Sequence, residues 1–258
     1  MSRTSHVLIT GASSGLGAAL ARRYAADSCR LSLFGRDRAR LEDVAAACRE
    51  RAAAVDIHVC DLRDAEATGR ALAAADARAP VDLLFANAGV GGADALGGPA
   101  GEALAQAHAV FETNVLGVIN TVAPLLPNLV ARRRGHIVVM GSIAGLMGLP
   151  HSPAYSASKA AVHTYGEGLR RLLRRSGVWV TVICPGFVET PMSASLSMER
   201  PFLWSADRAA DEVARAVARK RRRAIFPWQL GVAAGAARLL PPALVDRLIP
   251  QPERRLRP

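Results

Sequence analysis

Seven short apolar runs constrain the fold of this 258-residue chain: HVLIT (6–10), RLSLF (30–34), VDIHVC (55–60), VDLLFA (81–86), HIVVMG (136–141), VWVTVIC (178–184) and AIFP (224–227). Segments with helical spacing of apolar residues separate them, over 15–27, 38–53, 64–77, 154–175 and 207–219. Residues 101–131 read as mostly helical, with Pro124 and Pro127 distorting the second half. Strands that are apolar on both faces belong to a parallel sheet covered on both sides, and the alternation with helices supplies the cover. Such sheets bind ligands beyond the carboxyl ends of their strands, near the switch in strand order. No linker splits the chain, and no repeat is visible beyond this rhythm.

The first strand runs directly into TGASSGLG at 10–17. Gly11 allows a sharp turn, while Gly15 and Gly17 let a diphosphate approach the helix and let the helix pack on the sheet. Ser13, Ser14 and Leu16 fill the gaps. The free N–H groups and dipole of the helix start favour phosphate charge. The spacing is G-x-x-x-G-x-G rather than the commoner G-x-G-x-x-G, and no Gly-Lys-Ser/Thr follows to suggest a triphosphate site. A plain glycine-rich connection is the competing reading.

The second strand ends in LFGRDRAR. An NAD site usually carries an acid there for the ribose hydroxyls, but this chain has Gly35 followed by Arg36 and Arg38. Arginine suits a 2′-phosphate, so NADP(H) is expected over NAD(H), with Asp37 as an acidic complication. Asp61, with Leu62 beside it in CDLRD, is placed to accept from the adenine amino group; the alternative is a helix cap.

Strand four ends in NAGVGG at 87–92, where small residues admit a flat ligand, and strand five in GSIAGLMG at 141–148. The next helix opens YSASKA, putting Tyr155 and Lys159 four apart on one face. A phenol of ordinary pKa near 10 beside an ammonium is biased toward the phenolate, giving a general acid/base for an alcohol–ketone couple. Ser142 is placed to bond the substrate oxygen, and nothing around it resembles a nucleophile elbow. An isolated Tyr-x-x-x-Lys is usually a surface coincidence; its weight here comes from the matching turn, serine and strand order.

TGASSGLG at 10–17, NAG at 87–89, the set Asn114, Ser142, Tyr155 and Lys159, and PGFVETPM at 185–192 together resemble the short-chain dehydrogenases/reductases over about residues 5–228. The resemblance implies a single-domain, Rossmann-like α/β fold, a doubly wound parallel sheet of about seven strands with helices on both faces. It also implies NAD(P)-dependent hydride transfer. Tyr155 would donate the proton to a reduced carbonyl, and Lys159 would bind the nicotinamide ribose and lower the tyrosine pKa. Ser142 would orient the substrate oxygen, and Asn114, kinking its helix, would hold a water in a relay with Lys159. Asn87, Ala88 and Gly89 would lie beside the ribose, with Pro185, Gly186, Val188 and Thr190 along the nicotinamide. Many NADP-using members carry a basic residue just before the second glycine of the turn. Ser14 stands there instead, which shifts the phosphate load to Arg36, with Arg38 and Ser13.

Residues 1–228 are expected to form the dinucleotide-binding and catalytic unit, and 229–258 an apolar and basic extension of the same domain. Pro241 and Pro242 break the extension too often for it to span a bilayer. It is left to pack on the substrate pocket, cover a subunit interface, or lie at a membrane surface as a peripheral contact. The net charge of +11 is almost all arginine on alanine-rich helices and reads as a solvated basic surface. Aromatics are only 5% of residues, which argues against single-strand stacking platforms, and no nucleic-acid partner is expected. Cys29, Cys48, Cys60 and Cys184 form no CxxC pair and read as reduced thiols of a cytoplasmic protein; the N-terminus leaves no room for a signal peptide, and no metal is expected.

The expected activity is NADP(H)-dependent interconversion of a hydrophobic alcohol and its ketone or aldehyde by a homodimer or homotetramer. The loops that would ring the nicotinamide carry Leu146, Met147, Leu149, Phe187, Met192, Leu196, Met198, Phe202, Leu203 and Trp204, with His151 and Glu199 as polar anchors. Packing of these side chains onto the domain is the competing reading. A dinucleotide sensor and a sugar-nucleotide-modifying enzyme are the alternative functions. A sensor would be expected to lose the tyrosine or lysine, and the sugar-nucleotide enzymes usually need more C-terminal mass.

Overall fold

The computed structural model describes residues 5–25, 29–51, 54–91, 103–150, 152–196 and 199–249. Seven strands form one parallel sheet: β1 (His6–Thr10), β2 (Arg30–Gly35), β3 (Ala54–Val59), β4 (Leu83–Ala86), β5 (Gly135–Met140), β6 (Val178–Pro185) and β7 (Arg223–Phe226). Their order is β3-β2-β1-β4-β5-β6-β7, so the chain reverses direction across the sheet between β1 and β4. Ile9 of β1 lies between Leu33 of β2 and Phe85 of β4.

Alternate strand residues serve opposite layers. Val7 and Ile9 pack with Leu20, Leu41 and Val213, whereas Leu8 packs with Leu72, Val118 and Val162. The first layer holds α1 (Gly15–Tyr24), α2 (Arg38–Arg49) and α9 (Ala206–Ala218); the second holds α3 (Ala65–Arg78), α4 (Leu104–Phe111), α5 (Gly117–Val122), α6 (Leu126–Ala131) and α7 (Pro153–Leu172). This double cover is why the strands read as apolar throughout. β4 begins two residues later than its apolar run, because the Asp76 carboxylate accepts the Val81 N–H at 2.8 Å and is itself held by Arg132.

The stretch Leu104–Ala131 is long and apolar enough to cross a membrane by length and composition. Here it buries Val110, Val118, Val122, Leu125 and Leu129 within the domain. Its α-helical run is interrupted by a 3-10 turn at Ala123–Leu125, which contains Pro124, and earlier by a π turn at Glu112–Leu116.

Beyond β7 the chain forms α10 (Trp228–Ala237) and α11 (Pro242–Leu248), with the break at Pro241 and Pro242. Leu230 of α10 and Ile143 converge over Gly186, where a Cβ would lie 3.1 Å and 3.3 Å from their methyl carbons. The extension therefore packs on the segment that follows Ser142. Trp228, Val232, Leu239 and Leu248 remain exposed. Residues 250–258 lie outside the described residues.

Candidate active site

The strand switch between β1 and β4 is fastened by two side chains. The Thr10 hydroxyl accepts the N–H groups of Asn87 (3.0 Å) and Ala88 (3.2 Å) and donates to the Phe85 carbonyl. Asn87 Nδ2 donates back to the Thr10 carbonyl at 2.9 Å. Thr10 is fully buried. Its only sequence signal is a hydroxyl closing an apolar strand.

Between these strand ends the turn is drawn as tight as the backbone permits. Gly11 has φ +66°. A Cβ on Gly17 would stand 2.1 Å from the Gly11 carbonyl oxygen. Ser14 precedes α1 without making a side-chain capping bond, so the first-turn N–H groups have no capping hydroxyl as acceptor. A helix start without a side-chain cap, in a turn where Gly11, Gly15 and Gly17 leave no room for a Cβ, fits a dinucleotide diphosphate. Thr190 closes it from the other side, its Cγ2 2.9 Å from where a Gly15 Cβ would be.

At the end of β2, Ser13 Oγ lies beside Gly35, 3.3 Å from where its Cβ would be, and Arg36 and Arg38 are exposed. Asp37 caps α2, accepting the Arg40 N–H at 3.1 Å and pairing with its guanidinium, so the one acid in this segment is engaged by its own helix. Asp61 is not a helix cap; Asp64 caps α3. Arg63 instead closes a fork on Asp61, Nε to Oδ1 at 3.0 Å and Nη2 to Oδ2 at 2.6 Å. Those hydrogen bonds hold the Asp61 carboxyl below its usual range. Leu62 is buried beside it and its carbonyl accepts from Asn120. In sequence Arg63 carries no local signal, being one more arginine in a chain of 33 lysines and arginines.

The chemical cluster stands on the other side of the switch. β5 delivers Ser142 to the start of a 3-10 turn (Ile143–Gly145), where its Oγ accepts the Ala144 N–H. Tyr155 and Lys159 project from one face of α7. Burial pushes the Tyr155 pKa up, and the facing Ser142 side chain pulls it part of the way back. Lys159 lies 5.8 Å from the tyrosine ring centroid, and its Nζ donates to the Met140 carbonyl at 2.9 Å. Burial lowers the Lys159 pKa to about 8.

Asn114 sits inside the π turn, fully buried. Its amide grips the segment that follows β4, Oδ1 accepting the Val90 N–H at 2.7 Å and Nδ2 donating to the Val90 carbonyl at 3.0 Å. Nδ2 also donates to Ser158 Oγ, on α7 next to Lys159. Gly89 lies between the two groups; a Cβ there would be 3.2 Å from Asn114 Oδ1 and 3.3 Å from Lys159 Nζ. Asn114, Ser142, Tyr155 and Lys159 thus meet at the carboxyl edge of β4 and β5.

Pro185 ends β6 and is buried; beyond it Val188 is buried, and Thr190 caps α8 (Pro191–Ala194). Met192 and Tyr155 meet over Gly91. Trp204, in contrast, stacks on Phe226 and exchanges backbone bonds with this segment, packing onto the domain. His151, Met198 and Gly92 lie outside the described residues.

The model of the family described as short chain dehydrogenase matches residues 5–201. An uncharacterized oxidoreductase of Myxococcus xanthus is 39% identical over 244 residues, 93% of this chain and 94% of the relative. A solved variant of the actinorhodin polyketide ketoreductase with NADPH is 31% identical, covering 82% of this chain and 89% of that one at a TM-score of 0.74. A short-chain dehydrogenase/reductase of Burkholderia phymatum in complex with NAD is 26% identical, covering 96% and 97% at a TM-score of 0.84. The matched residues run from β1 past Tyr155 and Lys159, and the sheet order carries both ends of the site to one edge; the chain belongs to the short-chain dehydrogenase/reductase family of oxidoreductases.

Proposed function

We propose that the protein is an NADP(H)-dependent oxidoreductase that interconverts a hydrophobic alcohol and its ketone or aldehyde. The observation that carries this reading is the meeting of Asn114, Ser142, Tyr155 and Lys159 at the carboxyl edge of β4 and β5, with Lys159 one helical turn beyond Tyr155 and bonded to the end of β5. Gly11, Ser13, Ser14, Gly15, Leu16 and Gly17 would hold the diphosphate, and Asn87, Ala88 and Gly89 the ribose. Asp61 and Leu62 would border the adenine. Pro185, Gly186, Val188 and Thr190 would border the nicotinamide. Arg36, with Arg38 and Ser13, would take the 2′-phosphate. The absence of an acid at Gly35 and the engagement of Asp37 by its own helix favour NADP(H), with NAD(H) as the alternative.

When bound, the nicotinamide supplies the hydride chemistry. The proton belongs to the chain: Tyr155 gives it to the carbonyl oxygen in reduction and takes it back in oxidation. Ser142 orients that oxygen. Lys159 binds ribose and favours the phenolate, and Asn114 orders the β4 end and a water relay. Met192 beside Tyr155, with the apolar loops around it, favours an apolar substrate.

Leu104, Phe111 and Leu116 on the outer helices, and Leu172 at the end of α7, are exposed and support a homodimer or homotetramer, which light scattering would measure. The contact of Leu230 with the Ser142 segment favours an extension that belongs to the catalytic unit. Four free, buried cysteines suit a reducing compartment, and we assign the cytoplasm.

The test is NADPH consumption with a ketone series of rising chain length. The efficiency kcat/KM should climb until the pocket is full, at about 0.8 kcal/mol per buried methylene. Tyr155→Phe should lose roughly 10²–10⁴-fold in turnover with cofactor affinity nearly intact. A flat series, or a Tyr155→Phe variant within about threefold of the parent, defeats the reading.

A further inference from the structure

The helix that carries Tyr155 and Lys159 presents a third polar side chain on the same face, His163, four residues beyond the lysine. It is buried, and its Nε2 is 3.2 Å from the backbone nitrogen of Ser142 and 3.3 Å from Cys184 Sγ. A backbone N–H can only donate, so Nε2 is the unprotonated nitrogen and Nδ1 carries the hydrogen. The ring has been given room for this contact. A Cβ on Gly141 would stand 2.3 Å from Nε2, and one on Gly145 would stand 2.8 Å from Cε1. The two glycines bracketing Ser142 therefore leave the space that the imidazole occupies.

We propose that His163 is a positioning residue: its neutral Nε2 holds the Ser142 backbone so that the serine hydroxyl meets Tyr155. This rests on the oxidoreductase reading above, in which Tyr155 moves the proton and Ser142 orients the reacting oxygen. The surroundings keep the imidazole in the accepting form. Burial, then the charges of Arg223 and Lys159, push its pKa down to about 4, against a smaller upward pull from the Ser142 backbone. Cys184, whose thiol burial pushes up to about 12, faces it as a neutral neighbour. A protonated His163 would place a second cation beside Lys159 and would lose its bond from Ser142.

His163→Leu leaves the Ser142 N–H without its acceptor and frees the turn to shift. Displacement of a reacting group by about 1 Å costs on the order of 100-fold, so kcat should fall about 10- to 100-fold while the dinucleotide Kd stays within about twofold. Moving the Ser142 side chain away from Tyr155 removes a downward pull on its pKa. The kcat profile for alcohol oxidation should therefore move to higher pH. His163→Gln offers an amide oxygen near the Nε2 position and should restore the profile. In a cycle with Ser142→Ala, the His163→Leu effect should largely vanish, because the hydroxyl it positions is gone.

A profile that stays in place in a folded His163→Leu protein, or losses that simply add in the double variant, overturns the proposal. A second measurement needs no variant. The imidazole ¹⁵N spectrum of the parent should show His163 Nε2 unprotonated near neutral pH, and a protonated Nε2 overturns the proposal even if the leucine variant does not fold. Parent protein inactive on every carbonyl would defeat the functional reading instead, and the ¹⁵N result would still decide the hydrogen bond.

Discussion

Lys159 Nζ is bonded to the carbonyl of Met140, the last residue of β5 and only two residues before Ser142. One ammonium thus fastens the catalytic helix to the strand that delivers the serine. Lys159→Ala leaves that carbonyl unpaired and removes the charge beside Tyr155. Turnover should fall by about 10²-fold or more, and dinucleotide affinity should fall with it. Steady-state kinetics and calorimetric titration separate the two losses. Unchanged affinity would remove the ribose-binding role and leave only the structural one.

Gly17→Ala tests the cradle. The added carbon would meet the Gly11 carbonyl oxygen at 2.1 Å, and backbone cannot swing aside as a flexible side chain can. Overpacking of this kind costs about 1–3 kcal/mol or more. A thermal melt should show lowered stability, and dinucleotide binding should weaken further than stability alone explains.

Arg36→Ala tests cofactor choice. Loss of a charge-assisted hydrogen bond to a 2′-phosphate should weaken NADPH by about 1.5–3 kcal/mol and leave NADH less affected. Dissociation constants for both cofactors, in parent and variant, check this. Equal losses, or a parent that prefers NADH, would show that the phosphate is not read by this arginine.

His136 gives a pH dependence of stability. Burial, with the charge of Lys220, lowers its pKa to about 4 from 6.5, and its Nε2 is 2.8 Å from the Thr181 hydroxyl. The unfolded chain therefore binds a proton first as pH falls. The stability contributed by the neutral imidazole is complete above pH 6.5 and is lost between 6.5 and 4. His136→Asn, which can still bond Thr181, should flatten the fall in melting temperature across that window. His163 titrates in the same direction, so the flattening should be partial.

Strand existence was legible because burial on both faces leaves an unbroken apolar run, which local composition displays directly. Strand ends were less so: β4 starts at Leu83 because Asp76, in α3, takes the Val81 N–H, and a contact made in three dimensions has no local trace. The Tyr155–Lys159 pair was legible from a spacing of four on a helix. His163 has the same spacing, yet its partner is a backbone N–H 21 residues away, and a histidine in a helix usually means packing. Asp37 looked like an obstacle to a phosphate and is a cap. Asp61 looked like a possible cap and is held by Arg63. Acids near helix starts are ambiguous in sequence because capping and ligand binding ask for the same carboxylate.

The π turn at Glu112–Leu116 acts as a phase step in a long helix. Before and within it the helix packs on α7; after it, α5 packs on α3. An α-helix advances about 100° per residue. The wide turn takes up one residue more than a regular turn, so a residue lost there can be absorbed by a return to regular helix. A residue gained beside it would instead rotate everything downstream by about that angle, carrying Val118 and Val122 off their buried face. The stretch therefore holds slack in one direction only.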